Sequence, residues 1–332
     1  MTIVASTALE SVKELKEKMG TSIIGQEKIV ERIVMVLLAE GNLLLEGLPG
    51  LAKTRAITSL SKNLAAGLSR IQFTPDLLPS DITGTEVYQP ESEEKFIFQE
   101  GPVFNNLILA DEINRAPAKV QAALLEAMQE HQVTVAGKTH KLPDLFMVMA
   151  TQNPIEQEGT YPLPEAQMDR FLLHVMVDYP DTESEKKVLR LVRGEESAAK
   201  KSAAEKKAEK GKSIPQKTIF QAREEINQVH VSENIEQYIV DLINATRFPE
   251  KFSEQLDTWL DYGASPRGSL ALEKCGRVNA WMNGKDFVAP DDIRAVIHDV
   301  LRHRIVPSYE ANADGIGKGE IIDELLKLVA VA

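Results

Sequence analysis

Two patterns of apolar and polar positions divide the chain. Up to about residue 180, short apolar runs alternate with stretches whose apolar residues recur at helical spacing, such as 118–130. Strands that alternate with helices are typical of a parallel sheet with helices on its faces. The pattern therefore predicts an α/β fold with a five-stranded parallel sheet, whose strands are the apolar runs at 42–46, 70–74, 107–111, 145–151 and 171–177.

Two interruptions of this alternation are typical of hairpins rather than helices. Residues 86–104 contain Phe96, Ile97 and Phe98 after an acidic turn, and residues 132–142 alternate around Gly137. Alternating residues on both sides of a turn residue favour a β-hairpin. We predict two β-hairpin insertions, and their role, functional or only structural, stays open at this point.

After Pro180 the strand pattern fades and the remaining apolar residues recur at helical spacing. We predict an α/β domain over 1–180 and an all-helical domain over 181–332, with helices at 222–230, 233–246, 267–282 and 290–305. Residues 195–213 are nearly all Lys, Ala, Glu and Ser, with almost no apolar side chains to bury. Such a segment is either an exposed helix or a disordered insertion, and we assign it no chemistry.

Length, charge and residue composition argue against several classes of protein. A length of 332 residues suits two domains, and 38 basic against 50 acidic residues give a net charge of −12. This balance argues mildly against a protein wrapped on nucleic acid, although a local basic pore stays compatible with it. The single cysteine, Cys275, excludes an internal disulfide, and the six histidines show no zinc-ligand spacing. With no signal peptide and no apolar run long enough to span a membrane, we expect a cytoplasmic protein.

A phosphate-binding loop is the strongest motif. The stretch GLPGLAKT lies between an apolar strand and a helical stretch, where exposed backbone N–H groups at a helix N-terminus attract phosphate. The lysine would reach the β- and γ-phosphates, and the threonine hydroxyl would bind Mg²⁺. The one departure is Ala52, where glycine is usual; the alternative is a turn that contains Lys-Thr by chance. We predict an ATP site that uses Gly47, Leu48, Pro49, Gly50, Leu51, Ala52, Lys53, Thr54 and Arg55.

A second motif supports the first. The apolar run 107–110 ends in Asp111 and Glu112, roughly sixty residues after the loop, a usual offset in P-loop ATPases. A buried parallel strand carries its carboxyl end to the ligand edge of the sheet. We predict that Asp111 holds the water shell of Mg²⁺ and that Glu112 polarises the attacking water. Alone this pattern is common by chance, but paired with the loop it indicates an ATPase.

With both motifs in place, the chain resembles the AAA+ ATPases. Within them it is similar to the MoxR family, relatives of the magnesium-chelatase motor subunit. The resemblance implies a P-loop core followed by a helical lid domain, and it covers about residues 20 to 310. It is carried by the motifs at 24–27, 47–54, 73–81, 110–117, 150–154, 164–171 and 263–267.

The resemblance also implies roles for further residues. Ile24, Gly25 and Gln26 would line the adenine pocket, although a helix entry turn would use the same residues. Asn153 would be the sensor that orients the attacking water; its alternative is a turn residue before Pro154.

Three arginines gain roles in the same way. Arg170 would be an arginine finger placed in the neighbouring subunit's site, with a surface salt bridge to Asp169 as the alternative. Arg267 would be the second sensor, acting from the lid on the γ-phosphate. Arg115 is expected at the subunit interface, and the two hairpins would face the pore of a ring.

The function implied is an ATP-driven hexameric ring that acts as a chaperone, remodels partner proteins and serves metal cofactor insertion. A protein with a von Willebrand factor A domain is the expected partner. Three alternatives stay open: a magnesium-chelatase-type motor, a DNA-directed AAA+ motor, and a nucleotide switch that does not hydrolyse, which the intact Glu112 disfavours.

Overall fold

The computed structural model describes residues 6–48, 53–91, 94–154, 159–199 and 213–331. Pro49, Gly50, Leu51 and Ala52 of the predicted phosphate loop therefore lie outside the described residues, as does most of the predicted insertion at 195–213. The strands are β1 Leu43–Gly47, β2 Leu68–Gln72, β3 Gly84–Tyr88, β4 Phe96–Glu100, β5 Leu107–Asp111, β6 Gln132–Val135, β7 Lys138–Lys141, β8 Met147–Gln152, β9 Leu173–Val177, β10 Leu260–Tyr262 and β11 Val306–Pro307. The helices are α1 Thr7–Ser22, α2 Glu27–Leu38, α3 Lys53–Asn63, α4 Pro79–Thr83, α5 Ala118–Glu130, α6 Glu165–Met168, α7 Thr182–Ala199, α8 Gln216–Asn227, α9 Glu233–Arg247, α10 Glu254–Trp259, α11 Pro266–Met282, α12 Pro290–Arg294, α13 Ile297–Leu301, α14 Tyr309–Ala313 and α15 Lys318–Leu328.

The predicted five-stranded parallel sheet is confirmed, with the strand order β2-β5-β8-β1-β9. Its central strands are apolar except at their carboxyl ends, because both faces of the sheet are covered. In β1, Leu43 and Leu45 pack with helices α1 to α3 on one face, while Leu44 packs with α4 and α5 on the other. The continuous apolar runs in the sequence are the result of this burial on two sides.

Both predicted hairpins are present. Strands β3 and β4 pair antiparallel, as do β6 and β7. The second hairpin turns through Ala136 at φ 49° and Gly137 at φ 80°, a two-residue turn with both φ angles positive, which matches the twist of the strands. The two hairpins contact each other where the Phe98 and His140 rings stack at 3.9 Å between centroids.

The region after Pro180 is mainly helical, as predicted, but three details differ. The helix predicted at 222–230 is α8, which begins at Gln216 and ends at Asn227. The helix predicted at 290–305 is two short helices, α12 and α13. Between them, the carbonyl of Ala295 accepts a hydrogen bond from the Arg32 guanidinium at 2.5 Å. The region also contains a short antiparallel ribbon of β10 and β11, which the helical spacing could not indicate.

A buried ion pair joins the α/β part of the chain to the later helices. Arg32 of α2 donates from Nε to Asp299 of α13 at 2.8 Å, and the two side chains are 6% and 1% exposed. Burial alone would raise the pKa of Asp299, but the charges of Arg32 and Lys28 outweigh it and the pKa is lowered. The carboxylate is therefore charged at neutral pH and helps to hold the two parts together.

Replacing Asp299 by asparagine is expected to destabilise the protein by about 3 kcal/mol, because the buried Arg32 charge then keeps only its ion pair with the partly exposed carboxylate of Glu31. Because the folded-state pKa of Asp299 is lowered, the stabilisation is present above the unfolded-state pKa of about 4 and is lost as pH falls through the folded value. Chemical denaturation of wild type and Asp299→Asn at pH 7 and at acid pH measures both effects. Lys28→Met is the control: its ammonium lies 3.4 Å from Asp299 but is 57% exposed, so a loss of at most about 1 kcal/mol is expected. Equal losses for both variants would contradict this account.

Candidate functional site

The carboxyl ends of three adjacent strands form one edge of the sheet. Strand β8 lies between β1 and β5, so Gly47, Gln152 and Asp111 end next to one another. Gly47 must be glycine, because a Cβ there would lie 2.6 Å from the carbonyl oxygen of Val177. The predicted loop therefore leaves β1 at a point where the backbone of β9 allows no side chain.

Lys53 opens helix α3 at this edge. Its Nζ donates to the carbonyl of Gly47 at 2.5 Å and to the carbonyl of Gln152 at 3.3 Å. Burial lowers the pKa of Lys53, and the negative charges of Asp111, Glu112 and Glu46 act in the opposite direction. The lysine thus places a partly desolvated positive charge at the ends of β1 and β8, next to three carboxylates.

Asp111 is held by a network across the strand ends. Its Oδ1 accepts a hydrogen bond from the Thr151 hydroxyl at 2.8 Å, and its Oδ2 accepts from Arg70 Nη2 at 2.6 Å. Thr151 is buried, and its hydroxyl also accepts from the backbone N–H of Glu112 at 2.8 Å. One threonine therefore fixes both acids of the predicted motif relative to β8.

Glu112 has a left-handed backbone conformation, with φ 57° and ψ 52°. Such a conformation is costly for a residue with a side chain and is concentrated at functional sites. Its Oε2 accepts from Gln72 Nε2 at 2.9 Å and lies 3.1 Å from Arg115 Nε. The Glu112 carboxylate therefore lies beyond the end of β5, next to Gln72 at the end of β2 and next to Arg115.

The remaining residues predicted near the nucleotide lie around the same edge. Asn153 follows the last residue of β8 and is buried, and Thr54 lies in the first turn of α3. Gln26 donates from Nε2 to the carbonyl of Asp178, just beyond the carboxyl end of β9, at 2.8 Å. Gly25, at φ 74°, packs so closely that a Cβ would lie 2.5 Å from Ser184. The segment Ile24, Gly25 and Gln26 therefore borders the edge on its β9 side.

Arg170 and Arg267 lie at the other edge of the sheet. Arg170 precedes β9, and together with Arg267 it borders a cleft of about 370 Å³ that also includes Asn42, which precedes β1. A five-residue strand places its two ends roughly 15 Å apart. Among the described residues, neither arginine lies at the carboxyl edge with Gly47, Lys53 and Thr54 of its own chain.

The alternative salt bridge between Arg170 and Asp169 is not formed. Asp169 pairs instead with Arg304 at 2.9 Å, accepts from the Ser265 hydroxyl at 2.8 Å, and lies 3.5 Å from Arg267. Within the part of the chain that the structure describes, the Arg170 guanidinium has no ion-pair partner. Its charge faces the cleft.

Sequence reasoning missed four residues at the nucleotide edge, one of which is Arg70, whose guanidinium contacts Asp111 at 2.6 Å. Thr151 and Gln72 hold the two acids, and Glu46 lies 2.9 Å from His174 Nε2, a contact that lowers the pKa of the Glu46 carboxyl. Thr151 and Glu46 are polar residues near the carboxyl ends of mostly apolar strands, and Gln72 is the last residue of β2. That position was the available signal, since carboxyl ends of parallel strands meet at the ligand edge.

Comparison with known proteins identifies the family. The pattern of the family described as "ATPase family associated with various cellular activities (AAA)" matches residues 42–173, and that of the AAA lid domain matches 256–325. The chain is 44% identical over 310 residues to Chaperone MoxR1 of Mycobacterium tuberculosis, covering 93% of this chain and 79% of the relative. It belongs to the MoxR family of AAA+ ATPases. The predicted family and fold class are therefore confirmed.

Two further relatives support this MoxR assignment along the whole chain. The YeaC protein of Bacillus subtilis is 42% identical over 315 residues, which is 95% of this chain and 93% of the relative. The crystal structure of a candidate ATPase from Cytophaga hutchinsonii superposes with a TM-score of 0.88 at 42% identity, covering 98% and 96% of the two chains. Membership of this MoxR family implies a nucleotide-binding site. Among the described residues, no helix is long and apolar enough to cross a membrane.

Proposed function

We propose that this MoxR protein is an ATP-hydrolysing ring motor that acts as a chaperone. The observation that carries the proposal is the separation of two sets of residues on opposite edges of one sheet. Lys53, Asp111 and Glu112 lie at the carboxyl edge, while Arg170 and Arg267 lie at the amino edge. A complete site then requires two copies of the chain, each contributing one edge.

ATP would bind at the carboxyl edge. The phosphates would lie on the loop from Gly47 to Thr54, with the Lys53 ammonium neutralising part of their charge. Thr54 and Asp111 offer the oxygen donors that Mg²⁺ prefers, and Asp111 is oriented by Thr151. The described residues hold no group of three or more His, Cys, Asp or Glu side chains that could bind a metal ion. When bound, Mg²⁺ supplies positive charge against the β- and γ-phosphate oxygens.

Glu112 would accept a proton from the attacking water, and Asn153 would orient that water. The left-handed turn at Glu112 supports this role, since it directs the carboxylate out of the strand line at a fixed point. Thr151 would keep Glu112 and Asp111 in register because its hydroxyl contacts both residues. Ile24, Gly25 and Gln26 would border the adenine, and Arg55 would lie just beyond the loop.

The neighbouring subunit would complete the site. Arg170 and Arg267 would enter it from the next copy and neutralise the charge that develops on the γ-phosphate. A head-to-tail contact of this kind closes into a ring, and we propose a hexamer. Arg115 contacts Glu112 within one chain, so its proposed place at the subunit interface would bring the interface close to the catalytic acid.

The chaperone role is supported by a relative that is 44% identical over 310 residues and is named as a chaperone. That similarity favours a chaperone over the chelatase-type and DNA-directed motors. We further propose that clients are protein partners, that some of them receive a metal cofactor, and that a protein with a von Willebrand factor A domain works with the ring. Co-purification of such a protein with the wild-type chain, in the presence of ATP, tests that partnership.

The ring predicts that ATPase rate per subunit depends on protein concentration. We expect the rate to rise with concentration until assembly is complete, and sedimentation with ATP to show the same assembly. Arg170→Ala should keep nucleotide binding while turnover falls on the order of a thousandfold, because the finger acts only on the transition state. A monomer that hydrolyses ATP at full rate, indifferent to concentration, would contradict the proposal.

A further inference from the structure

Arg304, a residue of the lid region, donates hydrogen bonds to residues on both sides of Arg170 in the chain. Arg304 follows α13, and its side chain is 2% exposed. Its Nε donates to the Asp169 carboxylate at 2.9 Å, its Nη2 donates to the carbonyl of Phe171 at 2.7 Å, and its Nη1 donates to the carbonyl of Leu172 at 3.2 Å. The acceptors are the residue before Arg170 and the two residues after it.

The chemistry of the guanidinium suits this task. Its donors form a rigid planar fork, so the three contacts fix both the position and the direction of the segment they hold. A lysine ammonium is a single charge on a flexible stem and cannot reach the three acceptors in the same geometry. Arg304 therefore constrains residues 169–172 more strongly than one ion pair would.

The Asp169 carboxylate also contacts the segment that carries Arg267. Asp169 accepts from the hydroxyl of Ser265, which caps the N-terminus of α11, and lies 3.5 Å from Arg267 in the first turn of that helix. Arg304 and Arg267 thus share one partner. The two arginines at the amino edge are set relative to each other by Asp169, and Asp169 is set by Arg304.

Stability alone is a weak reason for this arrangement. Burial lowers the pKa of Arg304, and the Asp169 charge only partly opposes that effect. Buried ion pairs can often be replaced by apolar side chains at no cost in stability. What an apolar residue could not provide is the set of directed hydrogen bonds to the backbone around Arg170.

We propose that Arg304 is a positioning residue, through which the lid sets Arg170 for hydrolysis in the neighbouring subunit. The inference rests on the proposed function, because it needs Arg170 to act across a subunit boundary. It adds that the lid of one chain controls the site of the next, since every hydrogen bond of Arg304 among the described residues goes to residues 169–172 or to Val300, none of which lies at the nucleotide edge. A change in lid orientation would then alter turnover in the adjacent subunit.

Arg304→Lys, in the full-length chain, tests the proposal. We expect kcat to fall on the order of tenfold to a hundredfold while the KM for ATP stays within about twofold, because a displacement near 1 Å is enough for such a loss. In the Arg170→Ala background the same substitution should cost clearly less, since the finger is gone and only the contact that reaches Arg267 through Asp169 remains. Arg302→Lys is the matched control: Arg302 donates to the carbonyl of His174 within β9 at 2.8 Å and contacts none of residues 169–172, so kcat should stay within about twofold.

Several results would overturn the inference. Wild-type kcat in folded Arg304→Lys would do so, as would an equal fold-loss with and without Arg170, which indicates a general structural effect. Arg304→Gln is made in parallel, with melting curves for both variants, and failure of both to fold would assign Arg304 to stability rather than positioning. Wild-type turnover by Arg170→Ala alone would instead contradict the proposed function, whatever Arg304→Lys does.

Discussion

Glu112→Gln is expected to bind ATP normally and to lose turnover by on the order of a hundredfold or more. The amide keeps the shape of the side chain and can still accept the hydrogen bond from Gln72, which is 2.9 Å long in the native chain. It cannot accept a proton from water. The left-handed backbone at this position is unaffected, because glutamate and glutamine differ only at the end of the side chain.

The measurement is a steady-state ATPase assay beside a titration with a fluorescent ATP analogue. Glu126→Gln is the matched control, since it makes the same chemical change at an exposed position on α5. The control should retain wild-type turnover. Wild-type turnover by Glu112→Gln would place the catalytic base elsewhere.

Lys53→Ala is expected to weaken ATP binding on the order of a hundredfold, equivalent to about 3 kcal/mol. The substitution removes the positive charge that faces the carboxylates of Asp111, Glu112 and Glu46. Without it, these three charges repel the phosphates. The contact from Nζ to the carbonyl of Gly47 is lost as well, so the loop is no longer tied to the end of β1.

Calorimetric titration with ATP and Mg²⁺ measures this loss directly. Lys62→Ala serves as the control, because it removes an exposed lysine from the last turn of the same helix. Its affinity for ATP should equal that of wild type. If Lys53→Ala bound ATP as tightly as wild type, the assignment of the loop would fail.

Much of the fold follows from pattern alone. The apolar runs of the sheet are legible because both faces are buried, and the helix at 118–130 has the bounds expected from its apolar face. The turn at Ala136 and Gly137 could be recognised for a similar reason, since glycine between alternating residues has few other structural meanings. These features are determined by residues close together in the chain, so the sequence pattern shows them directly.

Contacts between residues far apart in the chain could not be predicted from these patterns. At the break between α12 and α13, the carbonyl of Ala295 accepts a hydrogen bond from Arg32, which lies more than 250 residues earlier in the chain. Thr151 reads as one polar residue in an apolar strand, and only the strand order brings it to Asp111. The hydrogen bonds from Arg304 to the residues around Arg170 depend on how the lid packs, and no sequence motif predicts them.

The predicted site residues also fall into two groups, those predicted from local sequence patterns and those predicted from family resemblance. The motif at 47–54 and the acids at 111–112 could be assigned from spacing and from the strands that carry them. The roles of Asn153, Arg170 and Arg267 came from family resemblance, and they stay proposals. What the structure adds is their location: Asn153 lies at the carboxyl edge and both arginines lie at the other. This separation is the reason for our proposal that the two arginines act in the site of a neighbouring chain.

The most direct test of this two-chain site is to mix Arg170→Ala with Glu112→Gln. Each variant alone should be nearly inactive, but an interface that joins an Arg170→Ala subunit to a Glu112→Gln neighbour contains one intact Glu112 and one intact Arg170. In an equimolar random mixture about a quarter of the interfaces are of this kind, so activity should rise clearly above that of either variant, up to about a quarter of wild type. Mixed rings that form, as shown by sedimentation, yet hydrolyse ATP no faster than the separate variants would contradict the account.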